Sequence, residues 1–191
     1  MGKKALLIMD CENDMLDAKG KGAGFGIAAH AAQVGTVKNI QSVLMKAREN
    51  KLKVIFVTVS YAKGYPELKD AKTPMHSQLN GSGMLLKGEW GSEIVPALKP
   101  IKGEVVFNKS MISPFTVPGF VKEIQGIDTF YLTGVATNFV VEATAREAAD
   151  RKKEVIILKD CCASMNQEMH DFSLNVISNL AKIKTSKDVE F

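Results

Sequence analysis

Three separated stretches of the chain carry groups that could move a proton and stabilise a developing negative charge. Asp10 ends the apolar run Ala5-Leu-Leu-Ile-Met9 and is followed by the loop Cys11-Glu-Asn-Asp14. Standing alone, an acid at a strand end reads as the cap of a turn. Lys109 follows Val105-Val106-Phe107-Asn108, where a lone lysine ordinarily reads as exposed decoration. The third stretch, Leu132-Thr-Gly-Val-Ala-Thr-Asn-Phe-Val-Val-Glu-Ala-Thr-Ala-Arg-Glu147, has the form of an elbow between a strand and a helix. Gly134 permits a sharp exit from the strand, and Thr137 or Asn138 can cap a helix beginning near Phe139. First-turn N–H groups would then point where negative charge develops. An ammonium beside a carboxylate holds that carboxylate ionised and can stabilise an oxyanion, while burial pushes the carboxylate pKa the other way.

Taken together and in this order, the three stretches resemble the isochorismatase-like cysteine hydrolases. That family reads Gly-Val-x-Thr-Asn-x-Cys-Val-x-x-Thr-Ala at the elbow, Asp-x-Gln-Asn-Asp after the first strand, and a lysine ahead of Ser-x-Phe. The resemblance implies that Asp10 transfers the proton, that Lys109 is its partner, and that the N–H groups of Ala136 and Val140 form an oxyanion hole. It also implies a cis peptide at Val135-Ala136. Two departures stand out: Glu12 replaces the glutamine, and Val140 occupies the place of the nucleophilic cysteine. The likeness continues through Gly88-Glu-Trp-Gly-Ser-Glu-Ile94 and Lys159-Asp-Cys-Cys-Ala-Ser164, so that it spans about Lys4 to Glu190.

An isopropyl group has neither a proton to give nor a lone pair to attack with, so Val140 removes the covalent route. General acid catalysis needs only a positioned carboxyl of raised pKa. Members of this superfamily that lack the cysteine cleave a vinyl ether by proton transfer, with the aspartate as acid and water attacking, though they carry a small residue where Val140 stands. Three readings follow: a hydrolase using Asp10 and Lys109, a member that binds a small ligand without turnover, and a Cys-to-Val variant of a cysteine amidohydrolase. Cys11 should face the opposite side of the sheet from Asp10. Cys161, Cys162 and the methionines near them read as packing. The zinc-binding Asp-x-His of one branch is replaced by Ser60-Tyr-Ala-Lys63, and the three histidines are far apart in sequence, so neither metal nor cofactor is expected. His30, His76 and His170 read as surface or loop residues, with His76 the best placed to meet a substrate.

The elements that must hold these groups follow from periodicity. Nearly continuous apolar runs at Ala5–Met9, Val54–Val59, Thr129–Leu132 and Val155–Leu158 predict central parallel strands, with weaker edges at 104–108 and 183–185. Helical spacing predicts helices over 34–50, 139–151 and 167–182, the last with Phe172, Val176 and Leu180 on its apolar stripe. Such alternation implies an α/β fold: a three-layer α/β/α sandwich around a doubly wound, mainly parallel six-stranded sheet, with ligands beyond the carboxyl ends of the strands. Two long connections, 11–30 and 60–92, read as lids or binding walls. Tyr61, His76 and Trp90 from the second, with Asn138 of the elbow, are the expected substrate contacts.

A chain of 191 residues, 46% hydrophobic, suits one domain over residues 1–191. The net charge of +4 comes from 25 basic and 21 acidic residues scattered along the chain, unlike the basic stripe of a nucleic-acid binder. No apolar run is long enough for a membrane span, and three unspaced cysteines fit a reduced compartment. A cytoplasmic homo-oligomer with a small-molecule partner, binding neither nucleic acid nor membrane, is the resulting expectation.

Overall fold

The computed structural model describes residues 2–191. Six parallel strands, β1 (Lys3–Met9), β2 (Lys53–Val59), β3 (Val105–Lys109), β4 (Ile127–Val135), β5 (Glu154–Ala163) and β6 (Lys182–Lys184), form one sheet in the order β3-β2-β1-β4-β5-β6. Because successive side chains of a strand point to opposite faces, β1 divides its apolar run between two cores. Ala5, Leu7 and Met9 enter one and Leu6 and Ile8 the other.

Among the described residues, seven α-helices, apart from short 3-10 and π turns, join or flank the strands. Helices α1 (Asn13–Leu16), α2 (Ile27–Val34) and α3 (Thr36–Glu49) precede β2, α4 (Pro74–Leu79) lies between β2 and β3, and α5 (Pro118–Glu123) precedes β4. Helix α6 (Glu142–Asp150) and helix α7 (Gln167–Ile177) flank β5. Ile40, Val43, Leu44 and Ala47 of α3 cover the core that holds Leu6 and Ile8. Phe120 of α5, Ala145 and Ala148 of α6, and Leu174 and Ile177 of α7 cover the other. This is the three-layer α/β arrangement that the alternating pattern implied.

Several boundaries differ for identifiable reasons. The helix expected over 34–50 starts at Thr36, because Gly35 takes a left-handed turn (φ 77°) that ends α2 at Val34. Lys109 is the last residue of β3 and pairs in register with Val59, which brings its side chain to the carboxyl edge of the sheet. The elbow does not enter an α-helix directly: Thr137–Val141 form a π turn, with the Val141 N–H donating to the Ala136 carbonyl, before α6 begins.

Two side-chain expectations are corrected. The stripe Phe172, Val176 and Leu180 faces solvent, with Phe172 70% exposed. Helix α7 turns its other stripe inward, where His170, Ser173, Leu174 and Ile177 are buried. The histidines are not surface residues, since His30, His76 and His170 are all buried. For His30 and His170 burial is tolerable because partners hold their rings. Nδ1 of His30 accepts from the Ser164 N–H and its Nε2 meets Gln167 Oε1, while His170 Nδ1 lies 2.8 Å from Thr137 Oγ1. The His30 and His170 rings stack edge to face, 5.5 Å apart, behind the elbow.

Candidate active site

Asp10, Lys109, Ala136 and Val140 come from β1, β3 and the elbow, and all four line one cavity of about 260 Å³ at the carboxyl edge of the sheet. Each is placed by backbone that the sequence demands. Asp10 leaves β1 in a left-handed conformation (φ 52°), its N–H held by the Val57 carbonyl of the neighbouring strand. Such a conformation costs a non-glycine residue on the order of 1 kcal/mol or more and collects at functional sites. Gly134 lies opposite Met9 in register; a Cβ there would stand 1.9 Å from the Met9 carbonyl oxygen, so β4 can close on β1 only as glycine. The Val135-Ala136 peptide is cis, as the resemblance implied.

Lys109 Nζ donates to Asp10 Oδ2 at 2.8 Å, and the lysine is 3% exposed. Asp10 Oδ1 is buried without a hydrogen-bond partner. Of the two opposing effects on this carboxyl, burial is the larger: it raises the Asp10 pKa against the lowering pull of the Lys109 ammonium. A buried acid of raised pKa with one free oxygen is equipped to give a proton and take it back.

Tyr61 and His76 line the cavity, whereas Trp90 and Asn138 stand outside its wall. Trp90 is half exposed on a turn whose carbonyl accepts from Asn13 Nδ2. Asn138 turns instead to Ser164, whose hydroxyl donates to its Oδ1 at 2.6 Å. Tyr61 is fixed by donating to the Ser110 carbonyl, and burial raises its pKa. His76 sits on α4, its Nδ1 2.8 Å from Thr73 Oγ1, and its Nε2 is buried without a partner. Burial, and then the positive charge of Lys109, lower its pKa and keep the ring neutral.

Sequence reasoning missed the acids that tie the loops together. Glu12 is fully buried and accepts from the Val59 N–H at the end of β2, while Asp14 accepts from the N–H groups of Lys21 and Leu85. Gly91 packs so closely that a Cβ would lie 2.3 Å from Asp14 Oδ2. Both long connections therefore hang on the segment after Asp10, and the signal was present in the acidic loop Glu12-Asn-Asp14. Met165 packs against the cluster of Ile27, Ala31, Val135, Ala136 and Ala163, as a core filler would, and it also lines the cavity with Met15, Met75, Met84 and Met111. Cys11, Cys161 and Cys162 are buried free thiols outside that wall, and Cys11 belongs to the core on the far side of the sheet from Met9. Burial raises the pKa of all three, so none is held as a thiolate. Among the described residues no group of three His, Cys, Asp or Glu side chains is placed to hold a metal ion, and no helix is long and apolar enough to cross a membrane.

A parallel six-stranded sheet that presents an acid, an ammonium and an elbow at one edge defines an isochorismatase-like hydrolase fold. The family model of the Isochorismatase domain matches residues 4–188, and the chain belongs to that family of hydrolases. It is 29% identical over 172 residues to the ureidoacrylate amidohydrolase RutB of Variovorax paradoxus, an alignment covering 82% of this chain and 67% of that one. The RutB of Rhizobium rhizogenes is 31% identical over 151 residues, covering 72% of this chain but 60% of its own length. Among solved structures, an isochorismatase family protein from Desulfovibrio vulgaris shares the fold, with a TM-score of 0.84, 24% identity and coverage of 98% of this chain and 96% of that one. The N-carbamoylsarcosine amidase of Thermoplasma acidophilum has a TM-score of 0.74 and 25% identity, covering 99% of each chain.

Proposed function

We propose that this chain hydrolyses a small molecule without a covalent thiol intermediate, using Asp10 as the proton donor and acceptor and Lys109 as its fixed counter-charge. The observation that carries this reading is the asymmetry of the Asp10 carboxyl: Oδ2 is held by Lys109, while Oδ1 is buried and unpartnered. On a vinyl ether, the protonated carboxyl gives its proton to the terminal vinyl carbon and leaves an oxocarbenium ion. Water adds to the cationic carbon and returns a proton to Asp10, and the hemiketal or hemiacetal collapses to an alcohol and a carbonyl compound. Lys109 stabilises the carboxylate while its proton is away. The N–H groups of Ala136 and Val140, expected from the resemblance as an oxyanion hole, would serve an ester in the same position.

The relatives named as amidohydrolases favour carbonyl–nitrogen substrates for their own chains. Here Val140 lines the cavity at the position that the resemblance gives to the nucleophile, and this supports transfer to water in place of transfer to a thiol. Turnover that survives saturating iodoacetamide is the expected result, and loss of turnover on alkylation would sink the reading. The second reading, binding without turnover, is favoured by the apolar cavity wall around Val140. It predicts thermal stabilisation by a ligand that is recovered intact.

A further inference from the structure

The cavity has a polarity that the family resemblance does not supply. Among the described residues its wall contains one cation, Lys109, and that ammonium is already engaged by Asp10. Lys21 on the adjoining loop turns away, its ammonium on the Gly83 carbonyl and 3.5 Å from Glu89. A carboxylate entering the cavity would lose its water shell and meet only an ammonium whose hydrogen bond is already directed at Asp10, and burying a charge without a partner of its own is costly. Most of the wall is apolar, and Met15, Met75, Met84, Met111 and Met165 give it unbranched, polarizable side chains that adapt to the shape of an apolar guest.

Tyr61, Gln78 and His76 are the polar side chains of this wall without a role in the proton chemistry, and of these His76 carries a buried atom that lacks a partner. That atom is Nε2, and the ring is oriented by Thr73 Oγ1 on its other nitrogen. Whichever tautomer is present, Nε2 offers one hydrogen bond, as donor or acceptor. Left unmade, that bond carries a desolvation penalty, which an entering polar group relieves.

We propose that the substrate of this cavity is an uncharged, largely apolar small molecule, anchored by a single hydrogen bond to His76 Nε2. This rests on the reading of the cavity as the reaction site, and it separates this chain's substrate from carboxylate-bearing ones. His76 is a specificity-determining residue in this account: it orients the ligand and transfers no proton.

The test is calorimetric titration of the whole chain at pH 7.5 with three matched pairs: benzamide and benzoate, phenylacetamide and phenylacetate, hexanamide and hexanoate. The neutral member of at least one pair should bind, at least tenfold more tightly than its carboxylate. His76→Ala should weaken that binding about tenfold, and His76→Gln, which keeps a neutral hydrogen-bonding group, should recover part of it. A carboxylate that binds as well as its amide, no binding by any of the six, or indifference to His76→Ala would each overturn the proposal. Turnover is scored separately. A neutral preference without turnover of any substrate leaves this inference standing and defeats the hydrolase reading, whereas turnover of carboxylated substrates in preference does the reverse.

Discussion

Nζ of Lys109 stands 2.8 Å from Oδ2 of Asp10, an ion pair made at the end of β3 and the end of β1 across the intervening strand β2. The two strands are not adjacent in the sheet, and the buried pair lines the cavity and fixes which carboxylate oxygen is free.

Removing one member of a buried pair leaves the other unpaired, at a cost of about 3–5 kcal/mol. Lys109→Met should therefore destabilise the fold by an amount in that range, reduced to the extent that Asp10 takes up a proton. The double variant Asp10→Asn/Lys109→Met should recover much of the loss. Denaturant unfolding of the four chains of this cycle checks it; a double variant as unstable as the sum of the single ones would show that the two residues act independently.

Glu12 gives a pH dependence of definite sign. Burial, then the charge of Asp10, raise its pKa well above the ordinary 4.5. Between 4.5 and that raised value the folded chain holds a proton that the unfolded chain has released, so stability falls as pH rises through the window. Glu12→Gln keeps an acceptor for the Val59 N–H and removes the titration. Its melting temperature should exceed that of the parent chain above pH 4.5 by a margin that grows with pH until Glu12 is ionised in the fold. Parallel melting curves from pH 5 to 9 would contradict this.

His170 acts in the opposite direction. Burial, then the neighbouring His30, lower its pKa below the ordinary 6.5. The unfolded chain takes up a proton first on acidification, so stability is lost as pH falls from 6.5 toward the folded value. The ring is bonded to Thr137 at the start of the π turn, and acid should loosen the elbow together with α7. Protection factors of the amides at residues 137–141, which correct exchange for its intrinsic pH dependence, should fall between pH 6.5 and 5 in the parent chain, with a smaller fall in His170→Gln.

Gly134→Ala should prevent folding or cost roughly 3 kcal/mol or more, because the added Cβ meets the Met9 carbonyl at 1.9 Å and the backbone sits at φ 117°. Circular dichroism and melting of the purified variant check this, and a chain as stable as the parent would show that β4 can move away from β1.

Val140→Cys places a thiol in the cavity at the position that the resemblance gives to the nucleophile. If the chain is a Cys-to-Val variant of a cysteine amidohydrolase, the expected outcome is a gain of iodoacetamide-sensitive amidase activity on neutral amides, read as ammonia release. No gain across a broad amide panel would show that the elbow around position 140 does not serve a thiol.

The strands were legible because a buried parallel strand must be apolar along its whole length, as Ala5–Met9 and Val155–Leu158 are. Asp10 and Lys109 were legible because strand ends define the ligand edge, and their partnership followed from the resemblance. The cavity wall was not, because Met15, Met84 and Met165 meet only after the loops fold back on the acids Glu12 and Asp14. The burial of His30 was hidden for the same reason, since its partner Ser164 lies 134 residues away. Helix α7 misled because it carries two apolar stripes, and the exposed one, with Phe172, is the stronger in sequence.

The central claim, proton transfer by Asp10 without a thiol, is tested most directly by the hydrolysis of phenyl vinyl ether to phenol and acetaldehyde. Phenol release is followed for the parent chain and for Asp10→Asn, with binding measured in both. Release by the parent chain and its loss by at least a hundredfold in Asp10→Asn, with affinity retained, is the predicted result. Equal rates in the two chains would contradict it.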